Sequence, residues 1–382
     1  MVKKAAGAYW TDEEIKQEIE EWRQKRPQRI KDGKWRLDEI PFYEKGLPHR
    51  TDIWHRVDFL DEYDLTWEKK WGASGIGKLR EVALCRPTEA ENFLFEDEKP
   101  TDPEYFGRKG IVDLENWQKE HDLFAQCLRD NGVKVNYINY PQPPVGAHGV
   151  TRSMYAAREI QIVWGGALIP RFGWTPQEKG RERIYAEWLV KQGCPILYTI
   201  IGRGFGDTGA LQPLADDTMI IPRGLCFNQE GIDQIRWVLA KVGITNTPIL
   251  DIASWLRDMS WPGRGAFHPG MLTMPVDLGK QLIYPSNMGW EMVKWFRDHK
   301  YELIEIDADE QRDFCPTSLI VLQPGKVIMN SAAKKTIAKV RRAGVQVIET
   351  PYYEAVKQGH GGLYCAVMQL VRDRGPKLAD IK

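Results

Sequence analysis

Near the C-terminus a cysteine ends a glycine-rich run, Gly359-His360-Gly361-Gly362-Leu363-Tyr364-Cys365, where the chain enters the apolar stretch AVMQLV. Glycines let backbone and ligand approach closely, and a thiol placed there can be partly exposed and activated for attack on carbon. The same cysteine could equally be a small buried core residue, the commonest fate of a free one. His268, within Phe267-His268-Pro269-Gly270, opens the apolar segment MLTMPVD. Asp207 lies in the glycine-rich turn Arg203–Gly209, and Arg158-Glu159 open the segment IQIVW. Taken singly, each has a structural explanation: a histidine at an element start, a carboxylate held in a turn, a solvated charge at a strand entrance. Taken together, a thiol, an imidazole and a carboxylate are the parts of a nucleophilic site, and a second carboxylate can grip N–H groups.

Those residues can meet only if the elements carrying them are arranged around a common axis. From Gly77 onward, short apolar strands alternate with amphipathic helices. LREVALCRP reads as a strand, and residues 113–132 as a helix with Asp113 as N-cap and Gly132 as its stop. EIQIVWGGALIPR reads as two strands around a Gly-Gly hairpin, followed by a charged helix over 177–192 and the strand PILYTII. The same order recurs twice more, with helices over 229–242 and 288–299, and again at SLIVLQPGKVIMNS with a helix over 333–343. A strand pair, a helix and a strand thus repeat at 60–90-residue spacing, which points to a repeat architecture. In that pattern Glu159, Asp207, His268 and Cys365 fall in different repeats, each at a loop-to-strand entrance.

Residues 1 to about 75 differ. Thr11 and Glu14 form a capping box, followed by Ile15, Ile19 and Trp22 on one face, so a helix is expected to run to Pro27. Beyond it the chain is polar and broken, yet carries Trp35, Trp54, Trp67 and Trp71, whose indoles need cover. This segment reads as an extension wrapped over the main body or over a second subunit, which favours a homo-oligomer. The expected organisation is therefore an N-terminal helical and irregular extension over 1–75 and an α/β domain over 76–382.

Two glycine motifs are set aside. Gly72 to Lys78 has the spacing GxxxxGK, but Leu79 follows and the segment opens a strand, whereas a phosphate loop needs a strand before it and a helix after it. Gly204-Phe-Gly206-Asp-Thr-Gly209 matches GxGxxG, yet ALQPLADDTMII follows, and without a helix N-terminus no dipole meets a pyrophosphate.

Composition narrows the function. The 382 residues carry 53 Lys+Arg against 53 Asp+Glu, without a basic block, so no nucleic-acid partner is expected. Apolar runs are strand-sized, too short for a membrane span, and the N-terminus lacks the apolar core of a secretory signal. Six cysteines without a CxxC pair fit a reducing cytoplasm.

Five ordered segments carry a family resemblance. MYAAREIQIVWGGALIP resembles the amidinotransferase strand that carries Arg-Asp, and DTGALQPLADDTMII is similar to the deiminase stretch EGGD…EDT, with Asp207 at the first acidic position and Thr218 in register. RGLCFNQEGIDQI resembles the turn and helix SxRTNxEG, FHPGMLTMPVDLGKQLIYP is similar to HLDxxFTMVD, and GHGGLYCAVMQLVRD resembles the terminal GGGxHC. The chain thereby resembles the guanidino-group modifying, or pentein, superfamily of arginine deiminases, amidinotransferases and dimethylargininases over about residues 76–375. The resemblance implies a five-fold pseudosymmetric α/β propeller with a site in its central channel. It implies Cys365 as nucleophile, His268 as general acid and base and Asp207 as the carboxylate orienting it. Glu159 stands at the substrate-clamping acid, with Arg158, Gly270 and His360 beside the substrate. The implied chemistry is addition of a thiolate to an sp² carbon between two nitrogens, then displacement of the cysteine by water. It requires no metal or organic cofactor; the partner is a small molecule.

Three positions depart from the pattern: Gly270 replaces a clamping Asp, Ala210 replaces the last acid of EGGD, and Cys226 replaces the Arg of SxRTN. A guanidinium is normally held by paired carboxylates, and burying it with one missing is poorly compensated. The departures therefore lean toward a small, planar, neutral substrate. A 2-nitroimidazole fits, because one carbon lies between two nitrogens and nitrite leaves readily. A deiminase or amidinotransferase acting on the usual cation is the alternative. A non-enzymatic pentein binding protein is disfavoured, since the Cys, His and Asp positions are all filled.

Overall fold

The computed structural model describes residues 10–33, 36, 42–48, 53, 56–91, 112–141, 144–146, 149–150, 154–155, 157–173, 179–252, 268–357 and 361–382. Trp35, Trp54 and His360 lie outside the described residues. Backbone contacts divide the chain between Lys70 and Trp71 into two compact units.

In the first unit the capping box forms as the spacing requires. Glu14 N–H reaches Thr11 Oγ1 at 3.3 Å, and Thr11 N–H reaches Glu14 Oε2 at 2.8 Å. The helix Asp12–Asp32 does not stop at Pro27 but runs a turn beyond it. Proline removes one backbone hydrogen bond, while tertiary ties hold the turns around it. Arg23 donates to the Asp61 carbonyl, and Arg26 pairs with Glu68 at 3.3 Å, fastening this helix to Phe59–Trp67. Ile15 and Ile19 are buried with Trp10, Phe42 and Ile53. Not every indole is covered, because Trp67 is 42% exposed.

The second unit repeats one plan five times. Each three-stranded sheet has a middle strand, namely Leu79–Leu84, Gly166–Ile169, Thr218–Arg223, Lys280–Ile283 and Lys326–Asn330. An antiparallel strand flanks it on one side and a parallel strand on the other. The parallel partner is always reached through a helix: Leu114–Asp130, Arg181–Lys191, Gln229–Lys241, Trp290–Asp298 or Lys334–Arg342. The middle strands Gly166–Ile169, Thr218–Arg223 and Lys326–Asn330 are largely apolar because both faces are covered. In four repeats the antiparallel strand directly precedes the middle one. In the first it is Val367–Arg372, which returns to pair with Leu79–Leu84. The core thus closes on itself through the last strand. No helix among the described residues is long and apolar enough to cross a membrane.

The two set-aside glycine motifs serve packing. A β-carbon on Gly77 would stand 2.1 Å from the Asp373 carbonyl, and one on Gly209 would stand 1.8 Å from the Arg158 carbonyl. Only glycine allows either backbone to pass so close.

One core residue makes stability depend on pH. His121 in the helix Leu114–Asp130 is fully buried, and burial pulls its pKa from 6.5 down to about 4. Its folded form is neutral, so the unfolded chain takes up the proton first. Its contribution is complete above pH 6.5 and is lost as pH falls toward 4, amounting to about 3 kcal/mol. Urea unfolding across that window is expected to show the loss in the wild type and a flatter profile in His121→Phe. Equal slopes in both would reject the assignment.

Candidate active site

Asp207 is delivered by the turn that follows the strand Ile196–Thr199, and its N–H donates to the Cys226 carbonyl at 2.9 Å. Its side chain is 1% exposed. Oδ2 lies 2.7 Å from His268 Nε2, while Oδ1 is buried without a hydrogen-bond partner. His268 begins the short turn Pro269–Met271 that feeds Thr273–Asp277, and its carbonyl accepts the Met271 N–H at 3.0 Å. The ring is partly open to solvent. A buried carboxylate holding a half-open imidazole fixes both ring orientation and proton position.

Cys365 sits in the turn before Val367–Arg372 and is half-buried. Its N–H donates to the Gly362 carbonyl at 3.2 Å, and its sulfur lies 3.9 Å from Ser318 Oγ. Gly361 adopts φ 101°, and any β-carbon there would come within 2.9 Å of that sulfur. The glycine run therefore leaves room for the thiol. Two tyrosines brace the turn: Tyr352 donates to Tyr155 at 2.7 Å, and Tyr155 donates to the Gly362 carbonyl at 3.1 Å.

The segments carrying these residues touch one another. Arg158 N–H donates to the Cys365 carbonyl at 3.2 Å, and the Arg158 carbonyl abuts Gly209, two residues after Asp207. Tyr364 packs on Gly270, two residues after His268, with the nearest ring carbon 3.2 Å from where a β-carbon would stand. The aspartate expected of a deiminase at that place would meet the Tyr364 ring. Arg158 does not reach out to a ligand as the resemblance implies. Its guanidinium lies 3.7 Å over the Tyr364 ring and donates to Gln161 Oε1 at 3.1 Å and to the Leu211 carbonyl at 2.6 Å. Burial pulls its pKa down, opposed by Tyr364, Cys365 and Asp207. Glu159 is 7% exposed and bound by Arg181, whose Nη2 lies 2.5 Å from Oε1.

Arg181 escapes the sequence reading because the run GRERIYAE resembles a solvated helix face. One signal points to it: Arg181 is the first residue of its helix, where the dipole disfavours a cation unless an acid lies close by. Tyr364 and Ser318 carry no such signal. Among the described residues, Asp207, Cys226 and His268 place one donor atom each within 4.8 Å of the others.

No family model matches the chain. The chain is 32% identical over 371 residues to the 2-nitroimidazole nitrohydrolase of Mycobacterium sp. (strain JS330), covering 94% of this chain and 97% of that one. A 69-residue stretch is 48% identical to the arginine deiminase of Streptococcus pneumoniae, 17% of this chain and 15% of that one. Among solved structures, the saxitoxin-pathway amidinotransferase of Microseira wollei superposes with a TM-score of 0.62 at 13% identity, over 80% of this chain and 98% of that one. The dimethylarginine dimethylaminohydrolase of Pseudomonas aeruginosa superposes with 0.58 at 19% identity, over 76% and 99%. Five repeated three-stranded sheets and these superpositions define the pentein fold, and the full-length similarity to the nitrohydrolase makes the chain a hydrolase acting on carbon–nitrogen bonds. Within that superfamily, the chain belongs to the family of 2-nitroimidazole nitrohydrolase.

Proposed function

We propose that this protein hydrolyses a small neutral heteroaromatic at a carbon between two nitrogens, with 2-nitroimidazole as substrate and nitrite as leaving group. The observation that carries the reading is the buried pair of Glu159 with Arg181. At the place where relatives clamp a guanidinium, the carboxylate's charge is already balanced, and the second clamp position is Gly270 beneath a tyrosine ring. A cation buried here would lack the paired acids that offset its desolvation. A neutral ring needs none.

The chemistry follows from the residue types. Cys365 Sγ, as thiolate, adds to the ring carbon between the nitrogens while His268 protonates a ring nitrogen. The carbon–nitro bond then breaks, its electron pair leaving with nitrite, and an S-imidazolyl adduct remains on the cysteine. Water attacks the same carbon, His268 takes its proton, and the carbon–sulfur bond returns its pair to Cys365. One water is consumed for each imidazolone and nitrite formed, with no change in the protein. Asp207 holds His268 throughout, and Glu159, steadied by Arg181, accepts a ring N–H.

A substrate panel tests the reading. Nitrite and imidazolone in equal amounts from 2-nitroimidazole, with no turnover of arginine, is the expected outcome. Citrulline formed from arginine, with no nitrite from the nitro compound, would return the site to the deiminase class.

A further inference from the structure

We propose that Asp207, Cys226 and His268 form a site for a thiophilic divalent cation of the zinc class, and that its occupation switches the hydrolase off. One donor atom of each residue lies within 4.8 Å of the other two, close to the span that a tetrahedral ion bridges. Thiolate, imidazole and carboxylate together suit zinc better than magnesium or calcium, which take oxygen donors. The second observation is Asp207 itself. It is 1% exposed, and its Oδ1 has no hydrogen-bond partner, so the fold keeps a desolvated acceptor beside the other two donors. The backbone fastens the pair, because the Asp207 N–H is bonded to the Cys226 carbonyl. Cys226 also stands where relatives' pattern has an arginine, a residue that could not ligate.

Three protein donors leave one position of a tetrahedral ion unfilled, and His268 is the one of the three that is partly open to solvent. Binding exchanges the thiol proton of Cys226 for the metal and releases it to water. His268 Nε2 then faces the ion instead of Asp207, and its ring no longer sits in the geometry that the carboxylate fixes. The inhibitory part of the inference rests on His268 as the proton carrier; the binding part does not.

The binding part is therefore read without turnover. Cobalt(II) is titrated into the full-length Cys365→Ala variant, which removes the half-buried thiol and leaves the buried Cys226. One equivalent is expected to raise a sulfur-to-cobalt charge-transfer band, which zinc bleaches by displacement. The band is expected to vanish when Cys226→Ser, or separately His268→Gln, is added to that background, each checked for an unchanged circular dichroism spectrum. In the otherwise native enzyme, Cys226→Ser should raise the zinc concentration for half-inhibition at least about tenfold. A band absent from Cys365→Ala but present in the native protein would place the metal on the nucleophile and overturn the site. A band surviving Cys226→Ser would do the same.

Discussion

Replacing Cys365 with alanine is expected to abolish nitrite release while leaving the unfolding midpoint unchanged. Losing a covalent nucleophile costs on the order of 10⁵–10⁶-fold in kcat, because the residual rate comes only from binding and polarisation. The fold should be indifferent because the side chain is half-buried and its sulfur sits at a distant 3.9 Å from Ser318 Oγ. Removing it opens no sealed cavity. Asp207→Asn should fall between wild type and Cys365→Ala, on the order of 10²–10⁴-fold, if it acts only by holding His268. Single-turnover assays and mass measurement of the adduct separate the two variants. Wild-type rates in Cys365→Ala would reject the nucleophile, and equal losses in both variants would give Asp207 a more direct part.

Arg181→Gln should change what the site accepts. Glu159 would lose its buried ion-pair partner, a change that destabilises by about 3–5 kcal/mol when one member of such a pair is removed. The double variant Glu159→Gln with Arg181→Gln should recover most of that loss, since no charge then remains buried alone. In the single variant, guanidinium ion should inhibit at least about tenfold more strongly than in the wild type, because it supplies the missing cation. Turnover of 2-nitroimidazole should fall in step. Urea midpoints and competitive inhibition constants read the two effects independently. Guanidinium inhibiting both forms alike, with an unchanged midpoint, would show that the pair does not set the charge of the substrate.

The repeated sheets were open to reading because each strand pair, helix and strand carries its own periodicity and turn residues, all of them local. The site was less so. Asp207 and His268 lie 61 positions apart, and only the ordered motifs joined them before the 2.7 Å contact appeared. Two charges misled. Arg158 at a strand entrance resembles a solvated residue, yet the Tyr364 ring covers it through a contact spanning two hundred positions. Arg181 lies in a run of mixed charge, and no local pattern announces its pairing with the buried Glu159. Pro27 misled in the other direction, since its penalty is local and the ties that outweigh it come from Asp61 and Glu68. Cys226 read as a lost arginine; its neighbourhood with Asp207 and His268 emerges only in three dimensions.

The closing strand also sets a schedule. Arg80 and Asp373, paired across the join, are 293 positions apart, and Cys365, the proposed nucleophile, lies two residues ahead of that strand. On the ribosome, four sheets can assemble while the first waits with one edge bare. The first sheet gains that edge only once Val367–Arg372 has emerged, so the sulfur proposed to react and the closing pairing arrive in the same event.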